Sequence, residues 1–432
     1  MKVWHLEKEW DAFLDAVIGG REQKKAHVRE AVEGIKKQVL DQGDAALTAL
    51  STRFDGWQQS YPLRLSEDEI QQAANKAKKK DLPILRGMIR NVRAYHRWQA
   101  GQTTRTRTYK RKGLTVKEEP VPVERALVYV PGGQVPYPSS LVMGAVPAQI
   151  AGVKEIYVTT PTHDGALNPY IAACCMLLGI RNVYRLGGAQ AIYAFARGAG
   201  SIPKVDMIVG PGNAYVEEAK RDVYGQAGID MLAGPSELAI LVAGELSPQM
   251  AQVLAWDLFS QAEHDEMATV GLFCPSKDDL YRVMKETERL LGENRRRETV
   301  EKALHANGYL AHYTSLKKAQ EALNRIAPEH LEVVGDDDAA RDIRYPGIIY
   351  VGAETCVSMG DYYIGTNHVL PTGGAGRFSA GLSVDRFTKR RVLVKIDSTF
   401  LDMYGDKAVR MAELEGLFAH GQAIRVRKEL LR

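Results

Sequence analysis

The chain has 432 residues, 45% of them hydrophobic and 25% charged, with a formal net charge of +4. That profile fits a globular protein with room for more than one core, and the charge is too small for this length to argue for nucleic acid as a partner. The longest apolar run, YIAACCMLLGI over residues 170–180, falls short of the roughly 20 residues that cross a bilayer, so no membrane partner is expected.

The amino terminus, MKVWHLEKEWDAFLDAV, carries charges every few residues where an export signal would need an apolar core. Cys174 and Cys175 are adjacent while Cys274 and Cys356 stand alone, so the sequence offers neither a CxxC pair nor a disulfide framework. A reducing cytoplasm is the expected setting.

Residues 21 to 100 read as helices: REQKKAHVREAVEGIKKQVL, then DAALTALSTRF, then a segment opened by Ser66 and Glu69 at capping-box spacing. The basic run KAKKKD at residues 76–81 is read as a solvated face. From Ala126 the period changes, and the short apolar runs ALVYV, EIYVTT, NVYRL and VDMIV alternate with helical segments. Such alternation predicts βαβ units and a parallel sheet. It resumes after ELAILV with TVGLF, YLAHY, LEVV and GIIYV, a second α/β unit. The last stretch, from about residue 385, is mixed and ends in the helix-like DKAVRMAELEGLFAHG.

Four runs near the first unit end in glycine turns: Pro131-Gly132-Gly133, Gly187-Gly188, Gly210-Pro211-Gly212 and Gly234-Pro235-Ser236. Glycine there either supplies turn geometry alone or lets backbone N–H groups approach the phosphates of a dinucleotide. No GxGxxG is present to decide. Gln190 and Asn213, just after two of the turns, add amides that suit a ribose or base.

In the helical stripe Met250, Leu254, Leu258, the next places on the apolar face fall to Gln261 and His264, with Asp257 nearby. A carbonyl oxygen and an imidazole one turn apart suit a metal, though a lone helical histidine is more often a hydrogen-bonded core residue. In APEHLEVV, Glu329 and His330 combine a carboxylate with the usual general base, yet neighbours along a strand point opposite ways, so spacing favours one in and one out. Asp361, Asn367 and His368 crowd the loop MGDYYIGTNHVLPT, and Glu415 and His420 lie on a charged tail segment that reads as a solvated face.

Taken in order, YVPGG, YPSSLVMGAVPAQIAGV, GGAQAI, GPGNAYVEEAKR, DMLAGPSE, SQAEH, APEHLE, GDYYIGTNHVLPT and EGLFAH resemble the landmarks of the histidinol dehydrogenase family over essentially the whole chain. The resemblance implies a zinc- and NAD-dependent oxidation of L-histidinol through the aldehyde to L-histidine. It also implies a homodimer of two Rossmann-like domains with a helical amino-terminal segment and small exchanged carboxyl-terminal pieces. Residue by residue it makes Gln261, His264 and Asp361 zinc ligands, with His420 completing the set from the other chain. Glu329 and His330 become the acid/base pair; Tyr129, Gln190 and Asn213 contact NAD; Ser236, His368 and Glu415 join His330 and the ligand residues around the substrate.

The domain division expected on this basis has four parts. Residues 1–20 pack with the carboxyl-terminal region, 21–125 with 239–384 form one α/β domain, 126–238 form the NAD-binding domain, and 385–432 form a dimerisation region. Alternatives are a same-fold dehydrogenase of another small alcohol such as sulfopropanediol, a zinc hydrolase that makes no NADH, and a non-catalytic nucleotide-binding protein. Cys356, five residues before Asp361, offers a rival route through a thiohemiacetal.

Overall fold

A computed structural model describes residues 1–19, 25–132 and 136–431. Its strands in chain order are β1 (Lys2–His5), β2 (Arg107–Arg111), β3 (Leu114–Pro122), β4 (Arg125–Tyr129), β5 (Glu155–Thr159), β6 (Asn182–Tyr184) and β7 (Met207–Val209). They continue with β8 (Gly228–Ile229), β9 (Glu237–Ala243), β10 (Thr269–Cys274), β11 (Tyr309–His312), β12 (His330–Gly335), β13 (Ile348–Val351) and β14 (Thr388–Ile396).

Two parallel sheets result, one ordered β6-β5-β4-β7-β8 and the other β1-β11-β10-β9-β12-β13. The central strands explain why both faces are covered. In β4, Ala126 and Val128 join one core cluster while Leu127 and Tyr129 join another. In β9, Leu238, Ile240 and Val242 go to one side and Ala239, Leu241 and Ala243 to the other. A strand apolar at every position has no solvent face, so helices must pack on both sides.

The expected α/β class with two Rossmann-like sheets is what the chain forms, and the flanking pieces attach to those sheets. β1 pairs in parallel with β11, from Lys2 with Tyr309 to His5 with His312, and is the edge strand of the six-stranded sheet. The helices between 25 and 103 pack on the five-stranded unit, and the last of them also meets the loop after β13, where Asn91 donates to the Tyr363 carbonyl. Val32, Ile35, Val39, Leu47 and Leu50 bury against one face of the five-stranded unit, and Ile70, Leu85, Met88, Ile89 and Val92 against the other. An amphipathic helix shows that one face must be covered but not by which sheet. The capping box forms as expected: Ser66 accepts from the Glu69 N–H, and Glu69 accepts in return from the Ser66 N–H.

β14 pairs antiparallel with β3, from Thr388 with Pro122 to Ile396 with Leu114, and β2 flanks β3 on its other side. This three-stranded arm therefore takes residues from 107–122 as well as from the tail. It leads into a helical hairpin, Ser398–Leu414 and Phe418–Leu430. Val392, Leu393, Val394 and Ile396 on the arm and Leu414, Leu417 and Phe418 on the hairpin are exposed in the single chain. Among the described residues no helix is long and apolar enough to cross a membrane.

Candidate active site

The glycine turns at the carboxyl ends of β4, β6 and β7 lie on one end of the five-stranded sheet, where helix N-termini collect. Gly133 falls outside the described residues. Most of these turns need glycine for close packing. A Cβ on Gly188, at φ +61°, would come within 2.6 Å of the Gln190 side-chain oxygen, and one on Gly210, at φ +118°, within 2.1 Å of the Tyr129 carbonyl oxygen.

Tyr129, Gln190 and Asn213 all lie at this end of the sheet. The Tyr129 hydroxyl accepts a 3.1 Å hydrogen bond from the Gly188 N–H, and burial pushes its phenol up to about 12. Gln190 is buried in the first turn of the helix that Gly188 opens. Asn213 is exposed, and its side-chain oxygen caps the helix Ala214–Val223 by accepting from the Tyr215 and Val216 N–H groups. That geometry leaves the Asn213 amide N–H₂ as its outward donor.

The second group of polar residues gathers at the amino ends of β9 and β12, opposite to the carboxyl-end rule for open sheets. Helix Pro248–Ala262 ends there, so Gln261 sits in its last turn and His264 two residues beyond it, not on the helix itself. The polarity change in the stripe marks that end. Gln261 is only 2% exposed, while His264 lies with its ring stacked on Tyr137 at 6.4 Å between centroids. Burial lowers the His264 imidazole, and Arg296 lowers it further.

Glu329 and His330 do not split into one residue in and one out. Their side chains are 9% and 5% exposed, and Oε2 of Glu329 lies 3.5 Å from Nδ1 of His330. The reason is local. Ala327 adopts φ 45°, ψ 63° as the helix Leu316–Ile326 ends, Pro328 follows, and only His330 has entered the strand, so strand alternation does not govern Glu329. A left-handed alanine costs of the order of 1 kcal/mol, which the surrounding core must offset.

Glu237, at the start of β9, holds this pair. Its N–H donates to Glu329 Oε2 at 3.1 Å, its own carboxylate accepts from the Glu329 N–H at 3.2 Å, and its carbonyl oxygen accepts from His330 Nδ1 at 3.0 Å. Sequence reasoning missed Glu237; a carboxylate opening the otherwise apolar, fully buried run ELAILVA was the available signal. Because a carbonyl can only accept, His330 carries its proton on Nδ1. Nε2 is buried with no hydrogen-bond partner.

The loop after β13 brings the remaining groups. Asp361 sits in a short π-helical segment, Gly360–Ile364, and its carboxylate is 3.9 Å from Nδ1 of His368. Asn367 is a fastener rather than a ligand contact: it donates to the Met143 carbonyl at 2.8 Å and accepts from the Val369 N–H at 2.9 Å, tying the loop to the other unit. Thr372 likewise accepts from the Gly234 N–H at 2.5 Å, two residues before Ser236, across the same seam. Nε2 of His368 and Oγ1 of Thr366 are also buried without partners.

Burial dominates the electrostatics. It lowers His330 to about 3 and His368 to about 4, with the neighbouring imidazoles acting in the same direction. It raises Asp361 to about 7, and raises Glu329 well above the usual carboxylate range, with Glu237 and Asp361 adding repulsion. Behind them Glu332, raised to about 8 by burial and by Asp257, accepts from the Val357 N–H at 2.8 Å.

A neutral imidazole, a carboxylate and an amide oxygen form the mixed nitrogen/oxygen donor set that zinc accepts. Among the described residues no group of three or more His, Cys, Asp or Glu side chains is drawn close enough to hold a metal. Gln261, His264 and Asp361 each carry one such donor atom, all three side chains lying in buried surroundings. Glu415 and His420 are exposed on the carboxyl-terminal hairpin.

A family model described as histidinol dehydrogenase matches residues 20–428. A histidinol dehydrogenase of Chlorobaculum tepidum is 41% identical over 403 residues, covering 92% of each chain. One of Nitrosomonas europaea is 39% identical over 422 residues, covering 97% of this chain and 96% of the relative. The crystal structure of histidinol dehydrogenase from Elizabethkingia anophelis superposes with a TM-score of 0.91 at 32% identity, covering 100% of this chain and 98% of that one.

The folded pKa of His330 is depressed, so its contribution to stability is full above its unfolded value of about 6.5 and is lost as pH falls toward about 3. In chelator-treated protein, His330→Asn should therefore gain stability relative to the parent as pH drops through that window, by up to about 1.4 kcal/mol per pH unit. Urea unfolding at several pH values measures it. Parallel stability curves would show that His330 is not held neutral.

Proposed function

The chain belongs to the histidinol dehydrogenase family, and from that premise we propose that its cleft oxidises L-histidinol through L-histidinaldehyde to L-histidine, using zinc and NAD. The observation that carries the reading is the bare Nε2 of His330, buried beside a raised carboxyl and within reach of the electrostatic influence of His264 and His368. A buried acceptor without a partner is costly, and a substrate hydroxyl is a donor that would satisfy it.

Gln261, His264 and Asp361 would hold the zinc together with the partner subunit's His420. Tyr129, Gln190 and Asn213 would line the nucleotide. When bound, zinc supplies a fixed anchor for the imidazole and amino nitrogens of histidinol, and NAD supplies the hydride acceptor. His368, Ser236 and the partner subunit's Glu415 would contribute polar contacts to the substrate.

His330 takes the hydroxyl proton on Nε2, since Nδ1 is committed to the Glu237 carbonyl. Tyr350, stacked on the ring at 6.4 Å between centroids, and Glu237 keep Nε2 aimed. Glu329 then removes a proton from the water that adds to the aldehyde; a carboxyl raised above its ordinary range is better matched to that task near neutral pH. Transfer of a second hydride from the hydrate to a second NAD, with loss of a hydroxyl proton, gives the acid. The exposed apolar residues of the arm and hairpin support a homodimer with shared sites. Four free cysteines are consistent with a cytoplasmic location.

Two outcomes test the assignment. Glu329→Gln should slow oxidation of supplied L-histidinaldehyde far more than oxidation of L-histidinol to the aldehyde, whereas His330→Asn should slow both. Single-turnover assays of each half-reaction separate the two, and equal losses for Glu329→Gln would refute the division of labour.

The second outcome concerns the shared site. His264→Ala and His420→Ala should each be nearly inactive, yet co-expression should yield mixed dimers with one intact site. With random pairing roughly a quarter of wild-type activity should return. Mixed dimers that form without any recovery would place His420 in its own chain's site or outside catalysis.

A further inference from the structure

Lys220 and Asp230 form an ion pair whose side chains are 2% and 0% exposed. No residue assigned to the chemistry uses it, and two buried charges need a reason to be retained. Their remaining bonds supply one. Asp230 Oδ2 accepts from the Gly210 N–H at 2.7 Å, and Lys220 Nζ donates to the Gly210 carbonyl at 3.0 Å. Asp230 Oδ1 receives both the Lys220 ammonium and the Met231 N–H. Both polar groups of one glycine are thus held by the two halves of one ion pair.

Gly210 is where the sheet ladder ends and the turn toward Asn213 begins. Its φ of +118° is a conformation that other residues rarely adopt, and it lies hard against the Tyr129 carbonyl, where a Cβ would come within 2.1 Å. Lys220 reaches it from the last turns of the same helix that Asn213 caps, while Asp230 reaches it from the end of β8. The clamp therefore ties three elements to one residue: the β7 turn, the helix carrying Asn213, and the strand beside it. Charge-assisted bonds in a dry site are short and directional, so the turn can keep this shape when no ligand braces it.

We propose that Lys220 and Asp230 are positioning residues that preset the Gly210–Asn213 turn, and with it Tyr129 and Asn213, for NAD. The inference rests on the reading that Tyr129, Gln190 and Asn213 line the nucleotide. Neither Lys220 nor Asp230 touches the ligand. They act by removing the ordering cost that a mobile turn would impose on binding.

The test uses the zinc-loaded full-length enzyme and titrates NAD and L-histidinol separately by calorimetry. The double variant Lys220→Met with Asp230→Asn removes both charges together, so neither is left buried alone. Its Kd for NAD should rise roughly ten-fold, the effect of a modest loss of preorganisation, while histidinol binding and zinc content stay as in the parent. Gln190→Ala serves as the reference for the nucleotide site itself. If Gln190→Ala weakens NAD binding and the folded double variant does not, the clamp is overturned and the site stands; if neither weakens it, the site reading falls and the clamp with it. Hydrogen exchange in the parent decides the matter even where the variant fails to fold. The Gly210 amide should be protected like the sheet core without NAD, and free exchange there overturns the proposal.

Discussion

The imidazole of His330 makes one hydrogen bond inside the chain and leaves its other nitrogen bare. That asymmetry comes from Glu237, whose carbonyl fixes the tautomer while its N–H and carboxylate fix Glu329. A buried group can be neutral and well oriented only if its surroundings are dry, and the same dryness raises Asp361 and Glu329 and lowers His368. Desolvation is therefore the shared cause of a base that can only accept, a carboxyl tuned upward, and a donor set that favours a cation. None of these groups needs an unusual environment of its own.

The two sheets make such a dry place available without burying it inside either core. The turns at the carboxyl ends of β4, β6 and β7 belong to one unit, and the amino ends of β9 and β12, with the end of helix Pro248–Ala262, belong to the other. The loop after β13 is stitched across the seam by Asn367 and, through Gly234, by Thr372. Fastened in this way, the two units are tied to each other while each sheet keeps its own hydrophobic core.

Much of this was legible in the sequence. The alternation of apolar runs with helical segments announced two parallel sheets, and the stripe Met250, Leu254, Leu258 announced its own end by turning polar at Gln261. Four things were not legible, each for a physical reason. Helices between 25 and 103 advertise an apolar face but not its partner. The arm strand RTYKR is exposed along its whole length, so no burial pattern betrays it as a strand. Glu329 and His330 converge because Pro328 and a left-handed Ala327 precede the strand, which a rule about alternation within strands does not cover. Glu415 and His420 could be singled out only by resemblance, since within one chain they face solvent.

The account stands on the cleft being a zinc-dependent site for L-histidinol oxidation, and product stoichiometry tests that most directly. Purified protein given L-histidinol and excess NAD should form two NADH for each L-histidine made, lose that activity when a strong chelator removes the metal, and regain it on addition of zinc. Absence of NADH with L-histidinol would contradict the assigned reaction, and full activity in protein shown by elemental analysis to be free of metal would contradict the role given to Gln261, His264 and Asp361.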